Sequence, residues 1–119
     1  MKNTIDLADG ARILGKDEAS AQSLLEYLID TFTEVRRELN DAYGEYQSDR
    51  DAMRFSFAVE KFYDGLLYVG APALRQSVYD LLMALYKEEH AISHLYQHAL
   101  DEMDALEQKI SEMKMTGGA

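Results

Sequence analysis

Leu24, Leu25, Leu28, Ile29, Phe32, Val35, Leu39, Tyr43 and Tyr46 recur at intervals of three and four, the spacing of one face of an amphipathic helix. Asp17 is placed to cap that helix, which should run unbroken over 17–47, with Gly44 fraying its end. Before it, a short helix over about 6–13 is closed near Gly15. After it, Ser48-Asp49-Arg50-Asp51 reads as a capping box, a hydroxyl for a free amide with an acid three residues on. A third helix should therefore span about 50–69. Gly70-Ala71-Pro72 breaks the pattern, because Pro suits the first turn of a helix but not its interior. A fourth helix then carries Leu74, Val78, Leu81, Leu82 and Leu85 on one face. The last carries Ile92, Leu95, Tyr96, Ala99, Met103, Leu106, Ile110 and Met113. No Gly or Pro separates those two. A single helix from Pro72 to Met115 would be roughly 65 Å long, too long for a compact domain, so a turn is expected at 87–90. With no strand pattern, the expectation is an all-α chain. It is an antiparallel four-helix bundle with a short extra N-terminal helix, one domain over 1–115 and a flexible tail at 116–119.

The 119 residues suit a single domain with a real core. There is no Cys, hence no disulfide framework and no thiolate metal site. Asp and Glu number 22 against 12 Lys and Arg, a net charge of −10. That balance argues against nucleic acid and against an anionic membrane surface as partners. The opening "MKNTIDLADG" has no apolar core segment, so it is not a signal peptide, and no apolar run reaches membrane-spanning length. A free-standing cytoplasmic protein is the expectation.

The third helix holds an anomaly. With Glu60 set at zero and about 100° per residue, Phe55, Val59, Phe62, Leu66 and Val69 cluster near −140° and form a core stripe. Glu60 and Asp64 point outward, four residues apart, a spacing at which like charges repel mildly. Around them lie Met53, Phe57, Tyr63 and Leu67, where an exposed face normally carries polar residues. Either flanking helices enclose this side, or it is an exposed apolar patch that receives a partner.

"VEKFYDGLLYVGAPAL" resembles the signature of histidine phosphotransfer (Hpt) domains, above all those at the C-termini of hybrid sensor kinases. Their pattern is H-K-L-H-G followed by Y-x-G-x-P-x-L. Lys61 matches the second position, Phe62 replaces the Leu, and Tyr68, Gly70, Pro72 and Leu74 match the tail. "IDLADGARILGKDEA" is similar to the usual opening of the family, whose fold is a four-helix bundle. The departures fall on the chemistry. Glu60 stands at the phosphoacceptor His, Tyr63 at the Lys or second His, and Asp64 at the Gly, with Gly65 following. Phosphotransfer needs an imidazole nitrogen that attacks an aspartyl phosphate, and a carboxylate is a far poorer substitute. Tyr63 offers no cation, and Asp64 adds negative charge where a phosphoryl group would sit. The resemblance therefore implies a binding module rather than an enzyme, with no catalytic residue and no cofactor. Its expected partner is a response-regulator receiver domain or a hybrid sensor kinase. The partner-binding residues would be Met53, Phe57, Glu60, Lys61, Tyr63, Asp64 and Leu67. A homodimer through the same face is a second use of it.

His90, His94 and His98 are spaced i, i+4, i+8, and Glu89 could join them around a divalent ion. The simpler expectation is three surface histidines and no metal. Two further alternatives are a phosphotransfer protein with an unusual or mutated acceptor, and a metal-binding or structural bundle built on this stripe.

Overall fold

The computed structural model of the protein describes residues 2–87 and 90–117, and all regular structure among them is helical. α1 (Leu7–Leu14) opens where the Asp6 carboxylate accepts the Asp9 amide at 3.0 Å. It closes at Gly15, whose φ of 68° is the left-handed cap that glycine adopts without strain. α2 (Glu18–Asp30) is capped by Asp17, whose carboxylate accepts the Ser20 amide at 2.8 Å.

The single long helix expected over 17–47 is interrupted. α2 ends before Thr31 and α3 (Phe32–Asp49) begins after it. The Thr31 amide donates to the Leu28 carbonyl at 3.0 Å, three residues back, and the Thr31 hydroxyl donates to the same oxygen at 2.6 Å. One carbonyl takes both donors and the four-residue ladder skips a step, a known cause of helix bending. Thr31 keeps right-handed angles, φ −87° and ψ −7°, so the chain bends there without reversing.

The expected capping box at Ser48 is also corrected. α3 runs through Asp49 and closes at Arg50, which turns left-handed (φ 58°) and donates its amide to the Tyr46 carbonyl at 2.9 Å. Ser48 is thus inside a helix, not in front of one. α4 (Met53–Leu66) starts later and ends sooner than the expected 50–69, with Asp51 accepting the Met53 amide at 3.0 Å. α5 (Pro72–Tyr86) begins at the proline as expected. α6 (Ile92–Gly117) follows, so the expected turn falls between the two, although residues 88–89 lie outside the described residues. The expected tail over 116–119 is corrected in part, because α6 continues through residues 116–117, while 118–119 lie outside the described residues.

Contacts between neighbours run antiparallel. Along α2 and α3, Glu26, Arg36 and Asn40 meet Lys114, Glu107 and Tyr96 of α6 in descending order. Between α3 and α4, Glu38 meets Lys61 and Glu45 meets Arg54. Phe32 and Phe62 meet edge to face at 5.9 Å, and Phe55, Tyr43 and Tyr96 form a second aromatic knot. Leu25, Phe32, Phe55, Leu66, Leu74, Leu81, Met103 and Leu106 are fully buried between the helices. The N-terminal segment is stitched to the α4–α5 turn. The Asp6 amide donates to the Gly70 carbonyl at 2.8 Å, and the Ala73 amide to the Asn3 carbonyl at 3.0 Å. A Cβ on Gly70 would overlap the Asp6 carbonyl oxygen, so the glycine is fixed by this close approach.

Candidate docking face on α4 and α5

α4 has two opposed stripes. Phe55, Val59, Phe62 and Leu66 are buried, as their spacing predicts. Met53, Phe57, Glu60, Asp64 and Leu67 follow at intervals of four, three, four and three, and line the opposite side. Met53 is 66 % exposed, Phe57 63 % and Leu67 37 %. The alternative in which flanking helices enclose this side is therefore wrong. α3 and α5 pack on the flanks of α4 and leave its outer ridge uncovered.

Two of the seven expected residues lie off that ridge. Lys61 leans toward α3, its ammonium 3.4 Å from the Glu38 carboxylate. Tyr63 is half-buried toward α5, its ring 5.7 Å from that of Tyr79. Glu60 is half-buried as well, whereas Asp64 is exposed. The Tyr86 phenol of α5 reaches Glu60. Its partial burial and then the Glu60 and Asp64 carboxylates push its pKa above the ordinary tyrosine value, since each disfavours a phenolate. Among the described residues no cation stands within ion-pair distance of Glu60 or Asp64. Arg12, Arg36, Arg54, Arg75, Lys61, Lys114 and His98 are all paired with other acids.

α5 adds residues that the sequence did not bring forward. Tyr79 and Tyr86 are 40 % and 54 % exposed, seven apart, and both stand beside the α4 ridge. Their seven-residue spacing is a usable signal in the sequence, although both lie off the core stripe of that helix. Gly65 sits at the α3 side of the ridge, where an added Cβ would meet nothing. It lines an apolar cleft of about 140 Å³ with Leu28, Val35, Leu39 and Phe62, opened where Thr31 bends the helix.

The histidines are elsewhere. His90 precedes α6, so only His94 and His98 share a helical stripe, and His98 faces Glu102 at 4.0 Å. His90 and His94 border a cleft with Asn40, Tyr43 and Tyr96. Among the described residues no three His, Asp or Glu side chains converge on a metal position, and Glu89 lies outside those residues. What the α4–α5 face offers is apolar contact area, two phenols and two carboxylates without counter-ions. None of these is an imidazole, the group a phosphoryl relay would need. No family model, no curated protein and no solved structure matches the chain.

Proposed function

We propose that this chain is an Hpt-like docking module of a two-component phosphorelay, one that binds a receiver domain or a hybrid sensor kinase without carrying a phosphoryl group. In this reading α2 and α3 count as one bent rod. With α4, α5 and α6 they make a four-helix bundle, and α1 is the extra N-terminal helix. The observation that carries the reading is the exposed ridge of Met53, Phe57 and Leu67 around Glu60, the position of the acceptor His in the resembled signature.

A surface of that kind loses water-exposed apolar area when an apolar partner surface covers it, which favours association. Glu60 contributes a single negative charge, short of the roughly −1.5 to −2 of a phosphoryl group, so it is a poor imitation of a phosphorylated acceptor. It has no nitrogen to attack an aspartyl phosphate. The module then competes for, or tethers, a receiver and leaves its phosphate in place. It works inside the cell, where such receivers are.

The test is calorimetric titration against receiver domains, together with Phe57→Ala and Leu67→Arg. Both variants should keep the fold and weaken the complex. A complex unchanged by either substitution would place docking elsewhere. In parallel, incubation with a phosphorylated receiver and mass analysis should leave the chain unmodified. A phosphoryl adduct would mean that transfer is retained through another acceptor.

A further inference from the structure

The docking face is sorted by chemistry along its length. Apolar side chains hold both ends of the α4 ridge, Met53 and Phe57 at one and Leu67 at the other, with Glu60 and Asp64 between them. Among the described residues no cation stands within ion-pair distance of either acid. We infer that this face recognises a basic amphipathic helix, an apolar stripe with Lys or Arg at its middle, and that Tyr79 and Tyr86 of α5 form the second wall of its seat. The inference rests on the docking role proposed above and specifies the partner's chemistry.

Charge decides between this occupant and a second copy of the chain. If two α4 ridges pair antiparallel about the midpoint between the two acids, Glu60 meets Asp64 of the other copy. If they pair parallel, each acid meets its own equivalent. Either way four carboxylates are brought together without a cation, between two molecules that each carry −10. Like-charge juxtaposition of this kind is strongly unfavourable at an interface. A cationic partner relieves it. Size points the same way. α4 offers a ridge of about 21 Å and the two helices a width of about 20 Å, on the order of 400 Å² per partner, the scale of a transient contact and not of an obligate dimer. The phenols suit the role, because Tyr presents a broad apolar ring with a polar edge and can stack on a guanidinium or ammonium.

Two fluorescent hydrocarbon-stapled helices of equal length serve as probes, identical in their Leu and Phe stripe and flanked by Lys in one and Glu in the other. Anisotropy at low salt should show the Lys helix binding at least about tenfold tighter than the Glu helix. The preference should vanish in Glu60→Gln/Asp64→Asn, and affinity for the Lys helix should fall in Tyr79→Ala/Tyr86→Ala. These are surface positions, and thermal melts confirm that each variant is folded. Equal binding of the two helices, binding of neither, or a preference that survives neutralisation of both acids overturns the inference. Receiver titration separates the two ideas. Receiver binding that persists without any Lys preference sinks this inference alone. A Lys preference without receiver binding sinks the receiver reading and leaves the basic-helix seat.

Discussion

Phe55 and Phe57 are two residues apart on α4 and have opposite roles. Phe55 is wholly buried among Tyr43, Tyr46 and Tyr96, whereas Phe57 is 63 % exposed. Phe55→Ala should cost about 3–5 kcal/mol in urea unfolding, the usual loss for a core aromatic. Phe57→Ala should change stability by no more than about 0.5 kcal/mol, as surface substitutions do, while it weakens the partner complex. The glycines divide in the same manner. Gly70→Ala forces a methyl onto the Asp6 carbonyl and should destabilise by about 1–3 kcal/mol, with the N-terminal segment released first in hydrogen exchange. Gly44 lies inside α3 with open space around it, so Gly44→Ala should raise stability by about 0.5–1 kcal/mol. Gly70 thus has a structural role in this chain, the docking of residues 3–10 on the α4–α5 turn, and Pro72 has another, opening α5.

Elements were legible in the sequence to the extent that apolar periodicity and capping chemistry determine them. Asp17, Gly15 and Pro72 mark helix ends where they were expected, since each acts through its own backbone or side chain. The bend at Thr31 was not legible. Its apolar stripe continues through the site, and the cause is a hydroxyl that shares the Leu28 carbonyl. Ser48 misled for a related reason. Its neighbours have the composition of a capping box, but the left-handed turn at Arg50 ends the helix two residues later. Periodicity also gave the direction of the outer ridge of α4 without telling whether α3 and α5 would cover it. That depends on tertiary packing, and the ridge is bare. On α5 the same limit hid Tyr79 and Tyr86, which belong to no core stripe and gain their place only beside α4.

At the scale of the whole molecule, α3 and α6 are joined through Tyr96, which is buried and donates its phenol to the Asn40 side chain. Burial, with Tyr43 adding to it, pushes the Tyr96 pKa up to about 12, above the ordinary value of about 10. The native state therefore keeps this proton where the unfolded chain has lost it. The stability tied to it is whole below about pH 10 and is lost as pH rises toward 12. Urea unfolding from about pH 9 to 11.5 should show a loss on the order of 2 kcal/mol that Tyr96→Phe largely removes. The proposed docking surface lies away from that core, on the ridge of α4 opposite its buried stripe and on the phenols of α5. Its most direct test is amide chemical-shift mapping of the chain titrated with a receiver domain. The account predicts perturbations confined to Met53, Phe57, Glu60, Asp64, Leu67, Tyr79, Tyr86 and their neighbours, with no phosphoryl group acquired from a phosphorylated receiver. Perturbations centred on α6 and its histidines, or none at saturating receiver, would contradict it.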